Sequence, residues 1–181
     1  MQNRFALILA FMLAITGFLF PARQAVAAVN CDTLPPFARV NYVEINQRHI
    51  FCGEIGRYGA SGFHSRPNGE LPNTIIFDNY TSALVLSHWN QNLNQWDQNG
   101  IYELNNFLID DGVQRSNKGR STMFPDYCTQ QNVLDAIAYA AQHNDLSGPS
   151  CLTVQGQEFE ITVHWLRDQN GWYINSAYPR L

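Results

Sequence analysis

Residues 157–178 read QEFEITVHWLRDQNGWYINSAY, and this stretch decides the class of fold. Phe159, Ile161, Val163 and Trp165 alternate with Glu160, Thr162 and His164. That period of two places one face of a β-strand in a core and turns the other outward. A second β-type run from Trp172 to Tyr178 comes after the pair Asn170-Gly171. Such a pair is favoured in tight hairpin turns because both positions tolerate positive φ. The chain is therefore expected to end in an antiparallel hairpin.

Working backward, short β-type runs at 48–55, 73–77, 83–89 and 101–109 are separated by clusters of Asn, Gly and Asp, the composition of turns. One helix is plain: Thr129 caps it, and Val133, Leu134, Ile137, Ala138 and Ala141 share a face at helical spacing. It stops near Asn144, ahead of Gly148-Pro149. A second helix is expected within 33–47, confined to its later part by Pro35 and Pro36. These elements add up to an α+β fold, antiparallel β-sheets with flanking helices, and show no internal repeat.

The first residues read differently. Arg4 precedes an apolar run from Phe5 to Phe20, then come Pro21 and the small residues Ala25, Val26, Ala27 and Ala28. This is the pattern of a secretory signal peptide, residues 1–27, with cleavage near Ala27 or Ala28. Residues 28–181 then form one domain, in a secreted or periplasmic protein without a membrane anchor after cleavage. Its 154 residues can bury roughly two thirds of the chain surface. Arg4 and Arg23 leave with the signal, so nine basic side chains face fifteen acidic ones and the net charge is −6. Such a balance argues against a protein that grips nucleic acid through its whole surface, and leaves room for a small positive site. Cys31, Cys52, Cys128 and Cys151 all reach the oxidising compartment, where two disulfides are expected in one of three connectivities. No Cys-x-x-Cys pair suggests a metal site.

The chemistry is concentrated around two of the five histidines, His49 and His64. Each alone is an ordinary surface or hydrogen-bonded residue, but together they flank the glycine-rich run CGEIGRYGASGF at 52–63. A turn there would bring both imidazoles to one phosphate. Imidazole suits a reaction that removes one proton and supplies another near neutral pH. RNA transesterification is such a reaction, and a fixed cation at the non-bridging oxygens accelerates it. Lys118, the only lysine, reads by itself as a solvated loop cation between Asn117 and Gly119. Ser176 and Tyr178 have the same parity on the last strand and point to one face, with Ala177 turned away.

Four pieces, in order along the chain, resemble a known family. RHIFCGEI at 48–55 with GFHSR at 62–66, KGRSTMFPD at 118–126 and INSAYP at 174–179 are similar to the motifs of the EndoU-type endoribonucleases, bacterial branch. The resemblance covers residues 48–181 and implies cleavage of single-stranded RNA at uridines, leaving 2′,3′-cyclic phosphate ends. It implies His64 as general base, His49 as general acid and Lys118 as electrostatic partner, with the reverse assignment of the histidines open. Ser176 would hydrogen-bond the base and Tyr178 would stack on or orient the nucleotide. RNA is the implied partner and DNA is not. No cofactor is required and no metal ligand is assigned, although manganese raises the rate of some members.

Arg48, Arg57, Arg66, Arg115 and Arg120 fall near the candidate residues in sequence and suggest a local positive cleft. His88, His143 and His164 are placed outside the site: His88 beside Trp89 on a strand, His143 at a helix end and His164 on an outward strand face. The competing class is a secreted module that binds RNA or glycans without turnover, using Trp89, Trp96, Trp165 and Trp172. Two proton-transfer groups beside Tyr178 favour the enzyme.

Overall fold

The structure, a computed structural model, describes residues 28–77, 82–90 and 95–181. In chain order these form β1 (Phe37–Val40), β2 (Val43–Asn46), α1 (Gln47–Phe51), β3 (Glu54–Gly56), β4 (Gly59–Ser61) and β5 (Ile75–Ile76). Next come β6 (Ser82–Asn90), β7 (Gln95–Asp110), β8 (Arg115–Met123), α2 (Gln130–Ala140), β9 (Ile161–Asp168) and β10 (Gly171–Pro179). The expected signal segment 1–27 lies outside the described residues.

One sheet has the order β1-β2-β10-β9, with β10 parallel to β2 at Ile174 opposite Ile45 and the other pairs antiparallel. In the other sheet the long β7 pairs antiparallel with β5, β6 and β8. β3 and β4 form a separate hairpin. The architecture is α+β with mostly antiparallel sheets, as the sequence indicates. Each sheet has its own core. Ile45, Ile161, Ile174 and Ala177 of the first pack with Ile50 and Phe51 of α1 and with the apolar face of α2. Tyr102, Leu104, Phe107, Ile109 and Met123 of the second pack with Phe63 and Ile75.

α2 forms as its pattern requires. The Thr129 side chain accepts from the Asn132 amide and the Asn132 side chain accepts from the Thr129 amide, so two otherwise unpaired N–H groups are satisfied reciprocally. Val133, Leu134, Ile137 and Ala138 are buried on its inner face.

Three expectations are corrected. The helix expected within 33–47 does not form, since α1 begins only at Gln47: Asn41 and Tyr42 take φ of 47° and 68°, turning the chain into the β1–β2 hairpin. Pairing of β2 with β10, which buries Val43 and Ile45, outweighs local helix propensity. The run 48–55 is one helical turn leading into β3, not a strand. In the final hairpin Gly171 pairs with Asp168, so the loop is Gln169-Asn170, and Asp168 Oδ1 accepts from the Asn170 and Gly171 amides. An Asx-type turn does the work expected of a positive φ at Asn170. The alternation of β9 also fades outward: Ile161 is fully buried, whereas Trp165 is 41% exposed, because the edge strand runs past the core.

Two disulfides, Cys31–Cys52 and Cys128–Cys151, close loops of 21 and 23 residues, and none of the four sulfurs is free. Closing a loop of that length restrains the unfolded chain by roughly 3 kcal/mol. Urea unfolding should therefore show the double variant Cys31→Ala/Cys52→Ala less stable by about that amount, and mass spectrometry of the native protein should find no alkylatable thiol. Equal unfolding midpoints for parent and variant would contradict the structural role of this bridge.

Candidate active site

His49 is carried by α1, a helix of a single turn that would not persist without a cap. Asn46 supplies it, its Oδ1 accepting from the His49 amide at 3.1 Å. The same side chain donates through Nδ2 to Glu54 Oε1 at 3.1 Å and to Asn175 Oδ1 at 3.2 Å. Glu54 turns its other oxygen, Oε2, to His49 Nδ1 at 3.0 Å. This hydrogen bond is the largest of the influences holding the Glu54 carboxyl below its ordinary range, against the opposing effect of burial.

His64 reaches His49 because α1 ends with free carbonyls. The His49 carbonyl accepts from the Phe63 amide at 2.7 Å and the Ile50 carbonyl from the His64 amide at 2.7 Å. The returning chain thus caps the helix that carries the first histidine. Gly62 permits this approach, since a Cβ there would lie 2.3 Å from the His49 carbonyl oxygen. Phe63 adopts the left-handed region, φ 59°, a conformation held by burying its ring fully in the second core. The two imidazole centroids are then 6.0 Å apart, and both side chains are buried.

The hydrogen bonds assign the nitrogens of His64. Ser121 Oγ donates to the Phe63 carbonyl at 2.6 Å, leaving its oxygen as an acceptor 2.9 Å from His64 Nδ1. The Thr122 carbonyl lies 3.0 Å from the same nitrogen. Nδ1 therefore carries the proton and Nε2 is bare. Nε2 faces Ser176 Oγ at 3.4 Å. Burial pushes the His64 pKa down to about 3, with the charges of His49, Lys118 and His164 acting in the same direction and the Thr122 carbonyl opposing them.

Ser176 and Tyr178 arrive from β10 through a bulge. The register slips between Ile174, opposite Trp165, and Ser176, opposite His164. The additional residue, Asn175, is the one held by Asn46. A bulge reverses the facing of the strand residues beyond it. Ile174 and Ala177 therefore both enter the core, while Ser176 and Tyr178 turn to His64; the Tyr178 and His64 ring centroids are 5.1 Å apart.

Lys118 is on β8, half-buried, rather than in a loop. It pairs with Phe107, and Ser121 pairs with Leu104. Both partners lie in the same core, although their numbers differ in parity, because Asn106 takes φ 54° and reverses the facing of β7. Lys118 consequently shares the face of Ser121, the face turned to His64. Its pKa is lowered by burial.

His49 of α1, His64 from the segment after β4, and Ser176 and Tyr178 of β10 thus converge between the two sheets, with Lys118 of β8 near enough for its charge to act on His64. A bare imidazole nitrogen and a second imidazole backed by a carboxylate can remove one proton and supply another. Three of the five arginines expected to line a positive cleft are paired with carboxylates. Arg66 pairs with Asp126 at 2.9 Å, Arg115 with Asp110 at 2.6 Å and Arg120 with Glu103 at 3.8 Å. Among the described residues no three His, Cys, Asp or Glu side chains gather as a metal cage would require. Sequence reading missed Asn46, Glu54 and Ser121, although Glu54 stands inside the quoted run 48–55. It also placed His164 outside the site, whereas its Nε2 lies 3.0 Å from the Tyr178 hydroxyl. His143 keeps its place just past the end of α2, with Nδ1 at the Tyr139 carbonyl, and His88 lies on β6.

A buried histidine that resists protonation makes stability depend on pH. With the folded pKa near 3 and the unfolded one about 6.5, the unfolded chain binds the additional proton between these values. Stability therefore falls as pH drops through that window, by on the order of 2 kcal/mol between pH 7 and pH 5. Urea unfolding at both pH values should show this loss in the parent and a smaller one in His64→Gln. An equal loss in both would place its origin elsewhere.

A family model described as Bacterial EndoU nuclease matches residues 44–181, from the strand that precedes His49 to the C-terminal residue. Searches of curated proteins and of solved structures return no match. The matched span holds both histidines, Lys118, Ser176 and Tyr178, and by it the chain belongs to the bacterial EndoU nucleases, a family of endoribonucleases.

Proposed function

We propose that residues 28–181 are an exported endoribonuclease that cleaves single-stranded RNA at uridines by transesterification between His64 and His49. The observation that carries this reading is a pair of imidazoles 6.0 Å apart whose Nδ1 atoms face different acceptors, a neutral carbonyl for His64 and a carboxylate for His49. His64 donates a hydrogen bond from Nδ1 to the Thr122 carbonyl, which leaves Nε2 as the base. His49 holds Nδ1 against the Glu54 carboxylate, which orients the imidazole that acts as the acid.

His64 Nε2 takes the proton of the ribose 2′-hydroxyl. The 2′ oxygen forms a bond to phosphorus as the bond to the 5′ oxygen breaks, and His49 Nε2 protonates the departing oxygen. The products are a 2′,3′-cyclic phosphate and a 5′-hydroxyl. An RNA phosphate beside His64 is an anion and raises its lowered pKa toward the working range. Lys118, on the face turned to His64, offsets the charge growing on the non-bridging oxygens. Ser176 hydrogen-bonds the base and Tyr178 orients the nucleotide. Each step draws on protein groups, with no metal required, and manganese acts at most as a stimulant, as in some members of the family.

Export is supported by the signal-like segment 1–27 and by the two disulfides, which fit an oxidising compartment. No helix among the described residues is long and apolar enough to cross a membrane.

The test is incubation with an oligonucleotide containing a single uridine, in excess chelator. The expected result is cleavage 3′ to that uridine with a cyclic phosphate end, identified by mass, and none when the ribose lacks its 2′-hydroxyl. His49→Ala and His64→Ala should each fold and lose at least roughly a hundredfold in rate, and Glu54→Gln should lose less. Parent-like cleavage by both alanine variants would refute the site, and binding without cleavage by the parent would favour a non-catalytic module.

A further inference from the structure

His164 reads from sequence as a bystander, yet the bulge in β10 sets it directly opposite Ser176, with Tyr178 opposite Thr162. Directly paired residues share a face of the sheet, so imidazole, hydroxyl and phenol line the same side of the hairpin. His164 Nε2 is 3.0 Å from the Tyr178 hydroxyl and the two ring centroids are 5.5 Å apart. The other ring beside Tyr178 is His64, at 5.1 Å. The imidazole itself is exposed, so its place is not explained by the core.

A tyrosine that receives a nucleotide gains from having its side chain held in place beforehand, because a freely swinging phenol must lose that freedom on binding. The phenol is attached at one end by its Cβ, and a hydrogen bond at the far end stops the side chain from swinging about its Cα–Cβ bond. His164 provides that bond from the neighbouring strand.

We infer that His164 is a positioning residue of the nucleotide site: its hydrogen bond to the Tyr178 hydroxyl sets the phenol in the orientation that receives the nucleotide. It acts on substrate binding through Tyr178 and takes no part in proton transfer. The inference rests on the ribonuclease reading of the site given above.

The test is a double-mutant cycle on the purified protein with a uridine-containing oligonucleotide. His164→Phe keeps a ring but removes the hydrogen bond, and KM should rise roughly fivefold to tenfold, with kcat within about twofold and an unchanged thermal midpoint. His164→Gln, whose terminal amide reaches the position of imidazole Nε2, should restore KM. Tyr178→Phe should raise KM by itself, and combining it with His164→Phe should add nothing further, since both remove the same interaction. Additive effects overturn the inference, as does a loss confined to kcat, which a merely structural role would produce. Binding of the same oligonucleotide with 2′-deoxyuridine at the cleavage position distinguishes the two readings. If the parent binds it but does not cleave the ribose form, the ribonuclease reading fails and the same cycle on Kd decides the role of His164. A parent that neither binds nor cleaves overturns both.

Discussion

One side-chain amide, that of Asn46, holds three parts of the site to one another. Its oxygen caps the helical turn that carries His49, and its nitrogen donates to Glu54 and to Asn175. The helix, the carboxylate behind His49 and the bulge that turns Ser176 and Tyr178 inward all meet at this group. Because the amide is buried, every one of these hydrogen bonds replaces water that cannot return. A loss at Asn46 would leave partners unsatisfied on three separate segments, which makes the arrangement cooperative.

The second histidine is positioned by backbone rather than side chains. A short helix leaves its last carbonyls unpaired, and the chain returning from β4 satisfies them while delivering His64. Helix capping and assembly of the histidine pair are therefore one event. The Cys31–Cys52 bridge ties the residue that ends this helix to the N-terminal segment, and Thr74 Oγ1 donates to the Cys52 carbonyl at 2.7 Å from the far side. The catalytic proposal depends on this anchorage, because proton transfer tolerates only small displacements of its donors and acceptors.

Electrostatically the site is local. The surrounding chain is acidic, and three arginines near the site residues in sequence are committed to carboxylates. Arg66 belongs to a network in which the Tyr102 hydroxyl also donates to Asp126, joining the segment after His64 to the one after Met123. Arg66 thereby braces the wall of the site. The proposed transition-state charge falls to Lys118, partly withdrawn from water and turned to the same face as Ser121, where a single fixed cation has its greatest effect.

Much was legible in the sequence where a feature depends on near neighbours. The capped helix α2, the final hairpin, the common facing of Ser176 and Tyr178 with Ala177 inward, and the motif order that marks the family all derive from residues a few positions apart. Sequence did not yield the β1–β2 hairpin, the helical turn under His49, the facing of Lys118 or the partner of His164. Each depends on pairing across long separations. Ile45 finds Ile174, and Asn46 finds Asn175. The reversal at Asn106 overrides the strict alternation of a strand, and the bulge at Asn175 sets Ser176 against His164. Alternation and capping are local rules that a sequence carries on its face, whereas a bulge or a reversed strand is decided by which distant surface must be buried against it.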